Sequence, residues 1–211
     1  MGCDIHCFVE KKNRKSGKWE KISGFENAEG EKPCESPFEN RDYSEFAILA
    51  NVRNGWGISP VRSRIKPIAM PKGVPEDVSP KVKEKIDDWA DDGHSHSYLT
   101  AKEISEYDTN NAINIRGYVN VREYKKFKET GDVDAFLVED VCGGNTIKKP
   151  NDECIDFQEK NPDKCVFTQI EFKRTAAELA RWLFGDGLKQ LMERSEDGTG
   201  DDVRIVFFFD N

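Results

Sequence analysis

At 211 residues, 34% of them charged and 36% hydrophobic, the chain is long enough to bury a real core; folding at this size hides about 70% of the unfolded surface. A net charge of −8 argues against a broad nucleic-acid face, which needs clustered Lys and Arg against phosphate, and is compatible with a cation as partner. No apolar run is long enough to span a bilayer and no signal peptide is recognisable, so no membrane partner and a cytoplasmic location are expected.

Residues 3–10 alternate in polarity and predict a strand, with Cys3, Ile5, Cys7 and Val9 on its core side. Lys11 to Gly17 then reads as a charged turn, and Lys18 to Ser23 as the returning strand. Residues 24–41 read as loop. Tyr43 to Arg53 carries apolar residues at helical spacing. A Gly- and Pro-rich segment follows, bracketed by Arg53, Arg62 and Arg64 and holding Trp56. Ser79 before Pro80 predicts the start of a helix that runs to about Trp89. Thr100 with Glu103 spells a capping box. Residues 120–129 predict a further helix, and residues 131–163 read mostly as loop. Cys165 to Lys173 predicts a strand. Thr175 to Arg194 predicts an amphipathic helix interrupted at Gly185-Asp186-Gly187. Asp201 to Asp210 is apolar enough to be central in a sheet. No linker or internal repeat divides the chain. The expectation is a single α+β domain over residues 1–211: a mostly antiparallel mixed sheet holding the first and last strands, helices packed on it, and long loops.

Six cysteines without a secretion signal predict reduced thiols, and none of their spacings is CxxC. The histidines are more telling. His6, His94 and His96 are the only three in the chain, and each stands near an aspartate. Residues two apart on a strand share a face. Asp4 and His6 therefore point together, away from the core side, and so do His94 and His96, with Asp92, if that stretch is extended. Brought together, Asp4, His6, His94 and His96 form a mixed nitrogen and oxygen set suited to a divalent transition metal: Zn, Mn, Fe or Ni. A buried hydrogen-bond network and a metal-free pocket are the alternatives. Arg204, Val206, Phe208 and Asp210 share a face, and Asp210 falls beside Asp4 or His6 if the last strand neighbours the first.

The blocks MGCDIH, Phe46 to Arg53, Asp92 to Leu99 and Val206 to Asn211 resemble a family of uncharacterised proteins from bacteria and their phages. The resemblance spans both ends and the middle, and implies an infected or bacterial cytoplasm. It implies no activity. The function expected from the residues is a metal-dependent hydrolase for a phosphoester or nucleotide-like molecule. Asp92 or Asp210 accepts the proton, and Arg64 steadies the developing charge. Arg53, Arg62 and Trp56 bind the small anionic substrate. The alternative is a non-enzymatic phage accessory protein that binds a host protein or sequesters a small nucleotide. A third reading makes the metal purely structural.

Overall fold

The computed structural model describes residues 2–55, 63–133, 137–138 and 140–210. In chain order the elements are β1 (Ile5–Lys12), β2 (Trp19–Ile22), α1 (Tyr43–Ala50), α2 (Pro80–Asp87), β3 (His94–Thr100), α3 (Ala101–Ser105), β4 (Ala112–Asn120) and α4 (Val121–Thr130). They continue with β5 (Thr146–Lys148), α5 (Glu153–Lys160), β6 (Cys165–Thr175), α6 (Ala176–Leu179), α7 (Leu188–Arg194) and β7 (Val203–Phe209). This is an α+β chain, with the first and last strands in one sheet. It forms two compact units. The first joins residues 1–53, 66–111 and 175–211; the second joins 54–65 and 112–174. Because each unit is assembled from separate stretches of chain, no linker marks the division in the sequence.

The sheet of the first unit runs β2-β1-β7-β3 and is antiparallel at every pairing. β7 is buried along its whole length, as its apolar run requires. Cys3 and Cys7 lie in the core at 1% and 3% exposure. On their side α1 contributes Phe46, which meets Phe209 edge-on at 5.0 Å. The opposite face is not the open platform that alternation in β1 suggests. Phe8, Val206 and Phe208 there are covered by Val82 and Ile86 of α2. Further along, Glu10 is fully buried. Its carboxylate takes Arg204 Nε at 2.8 Å and the Ser79 N–H at 2.7 Å. Arg204 also reaches Asp77 Oδ1 at 2.8 Å, and its guanidinium lies 4.0 Å from the Trp19 ring centre. This network anchors the start of α2. Ser79 occupies the expected cap position with Pro80 following, but its hydroxyl makes no capping bond, and the Val82 N–H goes to the Ser79 carbonyl at 3.1 Å instead.

α1 stops at Asn51, which turns left-handed at φ 61°. Thr100 and Glu103 form the expected capping box of α3, and Thr175 with Glu178 repeats it for α6. The helix expected over 175–194 is broken as its glycines imply: Gly185 sits at φ −101° and ψ −117° between α6 and α7. Within α1, Glu45 is buried and accepts the Leu183 N–H at 3.1 Å. Burial, with Asp42 adding to it, pushes its carboxyl up to about 8.

In the second unit β4, β6 and β5 form a sheet, with β5 and β6 parallel. Residues 112–120 alternate cleanly between exposed and buried, a strand signal that the helical reading of the following residues masks. Residues 131–163 hold a short strand and α5 where mostly loop is expected. Cys154, Val166, Ile170 and Tyr124 form this unit's own core.

Two outcomes test these contacts. Glu10→Ala takes the buried partner from Arg204, leaving it only the exposed Asp77, and lowers stability by about 3–5 kcal/mol. Urea unfolding measures this, and a loss below about 1 kcal/mol contradicts the buried pair. The native state also holds a proton on Glu45 that the unfolded chain has given up. The stability this confers is present below the ordinary value of 4.5 and is lost as pH rises through about 8. Glu45→Gln is therefore expected to flatten the fall in stability across that window, an effect on the order of a few kcal/mol. Parallel pH dependences in the two proteins contradict it.

Candidate functional site

Both histidine segments reach the same end of the first sheet. The antiparallel register sets the start of β1 and the start of β3 on either side of the end of β7. His6 stands opposite Phe208, and His94 opposite Phe209.

The closest polar contacts join the first and last strands. His6 Nε2 lies 3.2 Å from Asp210 Oδ2. Asp210 Oδ1 accepts the Asp4 N–H at 3.0 Å, and the Asp210 N–H donates to the Asp4 carbonyl at 3.2 Å. Asp4 turns its carboxylate to Arg41, whose Nε and Nη2 donate at 2.7 Å and 2.6 Å. This two-pronged geometry is the strong form of a carboxylate–guanidinium pair, and Arg41 holds Asp4 below the usual carboxylate range. Gly2 makes room for it: a Cβ there would stand 2.7 Å from Arg41 Nη1. Arg53 donates to the Gly2 carbonyl at 3.3 Å and lies 6.0 Å from the Tyr43 ring centre. Burial raises the Cys3 thiol, with Arg53 opposing that shift.

Aromatic rings wall His6. Trp89 lies 4.0 Å away between ring centres, and Phe208 stacks at 4.8 Å. His96 stacks on the same Phe208 at 5.1 Å. Since β1 and β3 flank β7, the phenyl ring stands between the two imidazoles, about 10 Å apart at two strand spacings. Gly93 belongs to this packing, because a Cβ at that position would come within 2.9 Å of the Phe208 ring. Burial, and then His94, lower the pKa of His96.

His94 does not share the face of His96. The register shifts between His94 and Ser97, and Ser95 sits at φ 54°. One extra residue in a strand reverses the alternation beyond it. His94 accordingly stacks on Phe209 at 6.1 Å, and Phe209 faces the side opposite to Phe208. Its Nδ1 lies 2.9 Å from Ser95 Oγ, while its Nε2 is buried without a hydrogen-bond partner.

The sequence expectation thus brings the right segments together but not into one ligand shell. A metal bound by histidine needs its nitrogens about 2.0–2.1 Å away. Phe208 separates His6 from His96, the bulge turns His94 aside, and Arg41 occupies Asp4. Among the described residues, no group of three or more His, Cys, Asp or Glu is arranged to hold a metal ion. Asp92 lies in a 3-10 turn, Ala90–Asp92, and is exposed instead of continuing the strand. Arg64 is exposed and belongs to the second unit. Arg62 and Trp56 lie outside the described residues. Glu103 serves the cap of α3 and pairs with Lys72 at 2.5 Å. Sequence reasoning passed over Arg41, which sits in a stretch without periodicity, and Trp89, read only as the end of a helix.

Comparison of the chain with protein-family models, with curated proteins and with solved structures gives no match.

The His96 resonance is expected to titrate below the ordinary histidine value of 6.5, and His94→Gln is expected to move it upward. Proton NMR of three histidines reads this directly; a midpoint at or above 6.5 in the unsubstituted protein contradicts the packing. Gly93→Ala is expected to destabilise the fold by about 1–3 kcal/mol through overpacking against Phe208. An unchanged melting temperature contradicts that close approach.

Proposed function

We propose that this end of the first sheet is the working site of a hydrolase for a small anionic ester, such as a phosphoester, with His6 as acid–base group and Asp210 as the carboxylate that orients it. The observation that carries this reading is the 3.2 Å contact between His6 Nε2 and Asp210 Oδ2, on an imidazole that keeps 24% of its side chain exposed. A carboxylate on one ring nitrogen fixes the tautomer and leaves the other nitrogen for a proton in transit. Arg41 supplies the positive charge. Its two-pronged pair with Asp4 is about half exposed on both sides, so the guanidinium is within reach of solvent. An anionic substrate has to displace Asp4 from the guanidinium or share it.

A second reading keeps the metal. Asp4, His6, His94 and His96 would then hold Zn, Mn, Fe or Ni, whose chemistry would be to make a bound water more acidic. The buried, unpartnered Nε2 of His94 favours it, since coordination would satisfy that atom. It requires Phe208 to leave its place between His6 and His96, the bulge at Ser95 to turn His94 onto their face, and Arg41 to release Asp4. Kinship with the MGCDIH proteins of bacteria and phages belongs to the same proposal. A binding protein for a host factor or a nucleotide differs from both readings by lacking turnover.

The test is hydrolysis of para-nitrophenyl phosphate and bis(para-nitrophenyl) phosphate, with and without added Zn or Mn, beside elemental analysis of the purified protein. We expect His6→Ala and Asp210→Asn to lose about 100-fold or more in rate, and His94→Ala/His96→Ala to keep most of it. Stoichiometric metal lost together with activity in the double variant replaces the first reading by the second. No turnover of either ester under any condition overturns the hydrolase.

A further inference from the structure

The second unit contains a groove that the histidine site does not use. It lies within that unit alone, between α4 and the segment running from α5 into β6. Arg122, Lys125, Lys126 and Glu129 fall at helical spacing along one stripe of α4. Lys164 and the first residues of β6 face them across a cavity of about 810 Å³. That volume lies within the range of small-molecule sites, about 300–1,000 Å³.

The charge of this wall stands out against the rest of the chain. The second unit carries 13 Lys and Arg against 12 Asp and Glu, in a protein whose total is −8. Four cations line the groove, and Glu129 is the one acid in its lining. Lys125 and Lys164 have carboxylate neighbours, Glu159 at 3.8 Å and Asp163 at 3.9 Å. Both separations exceed hydrogen-bond length, so these ion pairs are loose. Lysine and arginine on one concave wall focus positive potential on whatever enters. Apart from Asn120 and Gln158 the remaining lining is weakly polar or apolar: Val121 and Val166 are buried beneath it, and Pro162 and the half-buried Phe167 stand at its side. A phosphate group suits the cations, and a flat ring suits Phe167, since every nucleobase offers a π-face to an aromatic side chain.

We infer that this groove binds a nucleoside phosphate, its phosphates on Arg122, Lys125, Lys126 and Lys164 and its base against Phe167. The proposal stands apart from the histidine site and survives the failure of any reading of it. It is tested by isothermal titration of the full chain with adenosine diphosphate, inorganic pyrophosphate and adenosine. Adenosine diphosphate is expected to bind at least about tenfold more tightly than either fragment, the fold-change for one lost charge-assisted hydrogen bond or one lost base stack. Arg122→Gln/Lys126→Gln is expected to weaken it by at least about tenfold with an unchanged circular dichroism spectrum, and His6→Ala to leave it unaltered. Rising salt is expected to weaken it steeply. Pyrophosphate binding as tightly as adenosine diphosphate removes the base from the assignment and overturns it. So does an undiminished affinity in the double variant, or no heat with any of the three at millimolar concentration.

Discussion

The paired central strand β7 is the constraint on which the first unit depends. Apart from Arg204 it is apolar from Val203 to Phe209 and buried throughout, so it cannot lie at a wet edge, and it needs a neighbour on both sides for its backbone hydrogen bonds. β1 and β3 fill those places antiparallel. Once that register is set, the opening residues of the chain and the stretch after Gly93 have no freedom to be elsewhere. Asp210, at the end of β7, donates its backbone N–H to the Asp4 carbonyl, and its side chain accepts the Asp4 N–H and meets His6. The same feature that completes the core therefore builds the polar end of the sheet.

The two faces of β7 are used differently. On one, the phenyl rings of Phe207 and Phe209 pack among wholly buried side chains with α1. On the other, Phe208 stacks with imidazoles, and Arg204 two turns of the pleat away is held by Glu10 and Asp77 under α2. Burying Glu10 and Arg204 costs solvation that only mutual pairing offsets, and the pair ties α2 to a single position over the sheet. That position brings Trp89, just beyond α2, against His6.

Much of this is legible in the residues. The alternation of 3–10 and the apolar run of 201–210 give both strands, the glycines at 185 and 187 give the break in the last helical stretch, and Thr100 with Glu103 gives a cap. The proximity of Asp210 to His6 follows as soon as those strands are neighbours. Other features were hidden for physical reasons. A β-bulge has no composition of its own, so nothing in His94-Ser95-His96 announces that Ser95 turns left-handed and parts the two rings. Phe8 and Glu10 belong to a face that alternation assigns to solvent, and only α2, arriving from a distant stretch, buries it. Arg41 comes from a segment without periodicity and reaches Asp4 through tertiary structure alone. Strand β4 was obscured because its last residue, Asn120, is also the N-cap of α4, so one continuous run serves two periods.

The central claim is that the ends of β1 and β3 meet across β7 with Phe208 held between His6 and His96. Nuclear Overhauser contacts in protein labelled only at histidine and phenylalanine measure it most directly. We expect the Phe208 ring protons to show contacts to both His6 and His96, and the two imidazoles to show none to each other. Direct contacts between His6 and His96, with Phe208 displaced from both, would contradict the arrangement and bring the histidines to a common point.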